Sequence, residues 1–284
     1  MIEFNSKKNV WTYTVDGKIA CRSIDKTKLE RMIEAKFGGV AVKGVVAPVE
    51  SEFSVNERFE FIAQFTKLAA KGVIPGLVIT GSGGLGKTFT VLDTLTKMGL
   101  KEDTIGEESG DFVFVKGYTT PRNLYTTLYE NNGKVIVFDD CDTSFKDPIG
   151  ANLFKAALDS YERRIITWGA ESRDDSIPSR FEFTGKVIFI SNLELSKFPQ
   201  AILSRSMLTD LTLNLEEKVE RIKFIFAEDK VYAKDDKKAV MKFITENMSK
   251  FKDLNIRSAL NVLKMKVALG VGWERPALYS ATLN

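Results

Sequence analysis

Residues 81–88 read Gly-Ser-Gly-Gly-Leu-Gly-Lys-Thr, a complete G-x-x-x-x-G-K-[ST] phosphate-binding loop. The flanks decide what the pattern means. The apolar run Gly76-Leu-Val-Ile-Thr80 reads as a buried strand, and Gly86 to Met98 lacks proline and reads as a helix. Strand, glycine turn and helix in that order turn a pattern into a mechanism. Gly81, Gly83, Gly84 and Gly86, with Ser82 and Leu85 between them, let the backbone curl until its N–H groups meet phosphate oxygens. The helix N-terminus adds partial positive charge, Lys87 reaches the β- and γ-phosphates, and Thr88 offers a hydroxyl to Mg²⁺. The expected ligand is a nucleoside triphosphate.

Composition narrows the chemistry. The 284 residues are 44% hydrophobic and 28% charged, enough for one large or two modest domains with a full core. A net charge of +3 does not by itself imply a nucleic-acid partner. Histidine is absent, which excludes His-based general bases, imidazole switches and most zinc sites. Cys21 and Cys141 cannot make a disulfide framework, so a reducing cytoplasm is expected. The first residues carry no secretory signal pattern, and no apolar run approaches the roughly 20 residues needed to cross a bilayer.

Three regions follow in order. Residues 1–44 read as a small α+β appendage: strand Val10–Val15, a turn at Asp16-Gly17, a return strand Lys18–Arg22, then a helix from Asp25 to Phe37. Residues 45–214 read as an α/β core. An amphipathic helix spans 55–71; strands fall at 77–80, 112–116, 135–139, 187–191 and 207–213, with helices at 86–98, 121–131, 148–162 and 198–204 between them. Such alternation predicts a parallel sheet flanked by helices. Residues 164–184 break the rhythm and predict a β-hairpin insertion. Residues 215–284 read as wholly helical, with helices at 215–227, 235–249 and 255–269.

The third strand, Val135-Ile-Val-Phe-Asp-Asp140, delivers two carboxylates at its carboxyl end, where ligands bind in open α/β sheets. Asp139 is placed to hold Mg²⁺, and Asp140 to orient and deprotonate an attacking water. Asp142 reads as solvated. Asn192 ends the next core strand and can hydrogen-bond the water or the γ-phosphate. Arg205, at the end of a short helix, suits a charge supplied to a neighbouring subunit's phosphate; the alternative is a surface arginine favoured by the helix dipole. Arg180, in Pro178-Ser-Arg-Phe181, is the other finger candidate. Arg257 opens the last long helix and either reaches phosphate or makes a salt bridge.

Together these residues resemble the AAA+ ATPase family over roughly residues 45–270. Gly81–Thr88 resembles Walker A, Phe138-Asp139-Asp140 Walker B, Asn192 sensor 1, Ser204-Arg205 an arginine finger of clamp-loader type, and Arg257 sensor 2. The resemblance implies a P-loop fold with a five-stranded sheet and a helical lid. It also implies ATP with Mg²⁺, ATP hydrolysis, and a homo-oligomeric ring, commonly a hexamer, with a site at each subunit boundary. Most of the family has Asp-Glu in Walker B; the Asp139-Asp140 pair is more similar to viral superfamily 3 helicases, whose hairpin grips DNA. Slow hydrolysis, or a nucleotide-binding structural subunit, is one alternative that the shorter carboxylate permits.

DNA is the first expected partner, through the 164–184 hairpin or a pore loop near Tyr118, with no membrane; a protein client is the alternative. Between Lys234 and Lys266 stand eight Lys and one Arg against three Asp and one Glu, whereas the hairpin turn carries Glu171, Asp174 and Asp175 beside Arg173. A compact, lysine-rich, histidine-free chain suits a bacteriophage-encoded ATPase working in the host cytoplasm.

Overall fold

The computed structural model describes residues 51–104, 110–117, 119–169 and 177–283, together with the backbone of three strands within residues 1–50. The chain divides into two compact units, 1–49 and 50–284. In the first, β1 (Ile2–Asn5), β2 (Val10–Val15) and β3 (Lys18–Ser23) form an antiparallel meander. The strand at Ile2–Asn5 is additional to the two read from the sequence. The expected helix at 25–37 and the Asp16-Gly17 turn lie outside the described residues.

The second unit opens with α1 (Val55–Ala70), started by a reciprocal capping box between Ser54 and Glu57. Its apolar positions Val55, Phe59, Ile62 and Ala69 recur on one face and are buried. Five strands then pair in parallel: β4 (Gly76–Gly81), β5 (Phe112–Lys116), β6 (Val135–Asp139), β9 (Lys186–Ile190) and β10 (Met207–Leu211). Their spatial order is β10-β4-β9-β6-β5. A strand therefore stands between the glycine-turn strand and the two-aspartate strand.

Both faces of the sheet are covered, which explains the uninterrupted apolar runs of β4 and β6. Val135 and Val137 face α1 and α2 (Lys87–Lys97). Ile136 and Phe138 face the opposite core, shared with α3 (Pro121–Glu130), α4 (Thr143–Lys146) and α5 (Pro148–Ala157). There Phe138, Phe145, Phe154 and Phe189 pack with ring centroids 4.8 to 5.7 Å apart.

The helix expected to run to 162 stops at Ala157. Arg164 caps that end: its guanidinium donates to the Ala157 carbonyl at 2.8 Å and to the Gly185 carbonyl at 2.9 Å. The inserted hairpin pairs β7 (Ile165–Thr167) with β8 (Arg180–Glu182) in antiparallel register. Its base is fixed on α3, because Tyr125 meets Trp168 at a tilt and Phe181 edge-on, and donates to the Pro178 carbonyl at 2.6 Å. The hairpin turn, residues 170–176, and Tyr118 are outside the described residues.

A short α6 (Gln200–Leu203) precedes β10. Four helices follow: α7 (Leu215–Glu228), α8 (Lys234–Asn247), α9 (Ile256–Leu269) and α10 (Glu274–Leu283). They share a separate core of Ile222, Phe243, Leu254 and Leu263 among others. The last helix escapes sequence reading because Gly270, Gly272 and Pro276 all look like breakers. Pro276 falls in the first turn of α10, where no backbone donor is required. Trp273 then docks on Phe243 with centroids 5.0 Å apart. Among the described residues no helix is long and apolar enough to cross a membrane.

Phe154 is fully buried in the aromatic cluster, so Phe154→Ala should destabilise the protein by about 3–5 kcal/mol. Ile165→Ala, at a largely exposed strand position, should stay within about 0.5 kcal/mol. Urea unfolding of both variants measures the difference; equal midpoints would mean the rings are not packed as described.

Candidate functional site

β4 delivers the glycine turn against β10, with Gly81 paired to Leu211. Gly81 has φ +124°, and a Cβ there would lie 2.5 Å from the Leu211 carbonyl, so only glycine permits the turn. Gly86, at φ +96°, leads into α2. Lys87 is buried, and its ammonium donates to the Gly81 carbonyl at 2.6 Å, the Ser82 carbonyl at 2.8 Å and Asn192 Oδ1 at 3.0 Å. Burial lowers its pKa to about 8 against the attraction of Asp140 and Asp139.

The strand order explains the rest. Because β9 lies between β4 and β6, Asn192 emerges between Lys87 and Asp140. Its amide oxygen accepts from Lys87 while its amide nitrogen donates to Asp140 Oδ1 at 2.8 Å. Each half of the amide thus faces the charge it suits. Beside it, Thr88 Oγ1 donates to Asp139 Oδ2 at 3.2 Å. Burial and the nearby Asp140 raise the Asp139 pKa, and the Thr88 hydrogen bond partly offsets them.

Asp140 is the sole non-glycine residue with positive φ, +54°, among the described residues. Its N–H still donates to the Ile190 carbonyl at 3.0 Å, so the chain turns sharply while remaining tied to β9. Left-handed backbone is tolerated by Asp better than by branched residues, and such strain concentrates where geometry matters. Asp142, expected to be solvated, instead accepts from Ser191 Oγ at 2.6 Å. It braces the turn from the neighbouring strand.

Lys87, Thr88, Asp139, Asp140 and Asn192 line a cavity of about 480 Å³. The helical tail closes one side through Ile225, Ile256 and Arg257. The contact is direct: the Ile256 N–H donates to the Gly84 carbonyl at 3.0 Å, and a Cβ on Gly84 would come within 2.9 Å of the Asn255 side chain. Asn255 is held by its own capping box with Ser258. Arg221 also lines the cavity and carries no motif; in the sequence it is one charge on an amphipathic helix. It is buried, lies 3.6 Å over the Phe59 ring and donates to Asn56 Oδ1 at 3.1 Å. Lys116 and the exposed Phe89 complete the rim.

The donor set fits the expected group. Among the described residues no three Asp, Glu or Cys side chains cluster as a metal site, so an ion here would draw on Thr88, Asp139, phosphate and water. That is the sparse protein ligation Mg²⁺ favours. Gly83 faces Asn192 across a gap that a Cβ would fill at 3.5 Å, leaving room for phosphate against backbone.

Arg205 does not join this cavity. All five strands are parallel, so Arg205, just before β10, lies at the opposite edge of the sheet. It donates to the Ala201 carbonyl at 3.0 Å and stands 4.0 Å from Asp159, with a side chain about one-third exposed. Arg180 is exposed on β8.

The turn at residue 140 generates a prediction. Asp140→Val should destabilise the protein by about 1–2 kcal/mol, whereas Asp140→Asn should be nearly neutral. Thermal unfolding of the two variants decides it, and coincident transitions would remove the backbone argument.

No protein-family model matches the chain. The chain is similar to the "uncharacterized 36.7 kDa protein in nrdC-mobD intergenic region" of Enterobacteria phage T4. The two are 26% identical over 278 residues, covering 88% of this chain and 82% of that protein. A relative of this extent supports a bacteriophage origin.

Proposed function

We propose that this protein is a Mg²⁺-dependent ATPase of the AAA+ type, built on a P-loop fold and working as a homo-oligomeric ring. The observation that carries the reading is the Asn192 amide, which bridges Lys87 and Asp140 beside the Thr88–Asp139 pair. Three strand ends, from three separate stretches of sequence, bring an ammonium, two carboxylates, a hydroxyl and an amide to one cavity.

In this reading Lys87 exchanges its carbonyl partners at Gly81 and Ser82 for phosphate oxygens. Thr88 and Asp139 would hold Mg²⁺, which would supply positive charge against the phosphates. Asp140 accepts the proton of a water that attacks the γ-phosphorus, while the bond to the β–γ bridging oxygen breaks and ADP leaves. Asn192 holds Asp140 in line. Arg257 faces the phosphates from the helical lid. Arg205, remote from the cavity of its own chain, serves a neighbour's site, which requires the ring. ATP, rather than another triphosphate, follows the family resemblance.

Hydrolysis is coupled to translocation or remodelling of nucleic acid, with hairpin β7–β8 as the moving contact. The aromatic anchorage of that hairpin on α3 supports a rigid transmission. The acidic turn residues Glu171, Asp174 and Asp175 favour a second reading, remodelling of a protein client, because carboxylates repel phosphate.

Three variants test the reading. Lys87→Ala should lose nucleotide binding in calorimetric titration. Asp140→Asn should bind ATP normally while hydrolysis falls by about 10²–10⁴; wild-type turnover would exclude Asp140 as the base. Arg205→Ala should reduce turnover by about 10³ or more with binding retained. If it does not, the same assay on Arg180→Ala assigns the finger. Stimulation of turnover by DNA separates the two client readings.

A further inference from the structure

The helical tail carries a second concavity, of about 970 Å³, between α7 and α8 and distinct from the nucleotide cavity. Its walls are two helical stripes. Val219, Lys223, Phe226 and Ala227 recur along α7 at the spacing of one helix face, and Lys234, Lys238, Met241 and Lys242 do the same along α8. Val219, Phe226 and Met241 make an apolar floor. Lysines make the rim.

The charge on that rim is one-sided. The single carboxylate lining the groove, Asp229, is taken by buried Lys237, whose ammonium donates to the Asp229 carbonyl at 2.5 Å and approaches its carboxylate at 3.4 Å. Lys242 reaches Glu246 at 3.8 Å. Lys223, Lys230, Lys234 and Lys238 have no ion-pair partner among the described residues, and all four are exposed. These exposed ammonium groups leave the rim net positive, a field that an anionic partner would complement.

We infer that this groove docks an acidic amphipathic helix of a partner protein. From Lys234 to Thr245 the groove runs about 16 Å, which accommodates about three turns of guest helix. A guest with apolar residues at i, i+3, i+4 and i+7 fills the floor, and its flanking carboxylates meet the lysines. A sugar–phosphate backbone would satisfy the rim and leave the floor empty. The absence of arginine from the lining also disfavours nucleic acid, which is usually gripped by bidentate guanidinium groups.

The test uses the full chain without nucleotide, so its outcome is independent of the ATPase reading. A fluorescein-labelled peptide of about 14 residues, with Leu at the four floor positions and Glu on both flanks, is titrated by fluorescence anisotropy. A scrambled peptide of equal composition and a single-stranded oligonucleotide serve as competitors. The amphipathic peptide should bind, and the scrambled one should bind at least about tenfold more weakly. Lys223→Glu with Lys238→Glu, both exposed and away from any core, should weaken binding by about tenfold or more and increase the rate of dissociation little. Met241→Ser should weaken it at unchanged salt dependence. Equal affinity for the scrambled peptide, unaltered binding by the lysine variant, or displacement by the oligonucleotide at lower concentration than by unlabelled peptide would each overturn the proposal.

Discussion

The site depends on one amide placed between two charges. A buried ammonium is costly to leave unmatched, and the exposed carboxylate of Asp140 stands beyond an intervening strand from it. Asn192 resolves this by presenting oxygen to Lys87 and nitrogen to Asp140. It can do so because β9 separates β4 from β6 in the sheet. Were the two charged strands adjacent, the ammonium and carboxylate would pair directly, and neither would remain available for another ligand. The strand order is therefore a chemical device as well as a packing solution.

Around that centre the backbone turns sharply. Gly81, Gly84 and Gly86 all sit at positive φ, and Asp140 does so without a glycine's freedom. Parallel strands buried on both faces supply the rigidity that sustains such turns. Rigid support also comes from the helical tail, through the Ile256–Gly84 hydrogen bond. A second link joins α1 to α7: Arg58 pairs with Glu217, and Arg221 lies over Phe59 and reaches Asn56. Ion pairs of this kind define register more than they add stability. Any shift of the tail would have to repack Phe59 and release Gly84 together, so these contacts tie the tail to the glycine turn.

The surface divides its charge unevenly. Lysines gather over the α7–α8 groove, with Lys223, Lys230, Lys234 and Lys238 exposed. Net charge hides this, since +3 over 284 residues looks nearly balanced. What matters for partners is the local field above an apolar floor, and only the packing of α7 against α8 produces that floor.

Much of the fold was legible because its signals are local. The glycine loop, the apolar strands ending in Asp139-Asp140 and Asn192, and the amphipathic helices are each read within about ten residues. Where distant residues intervened, local reading failed. Arg164 caps the early end of α5, Trp273 docks the segment that looked broken onto Phe243, and Ser191 bonds Asp142. Arg221 entered the cavity only because Phe59 and Asn56, about 160 positions away, gave it a ring and an acceptor. The sequence by itself determined Lys87, Thr88, Asp139, Asp140 and Asn192 and the strand ends that carry them, since those follow from spacing. Their order in space, the amide between the charges, and the lysine groove were decided by tertiary structure, because hydrogen bonds and fields depend on distance through space and not along the chain.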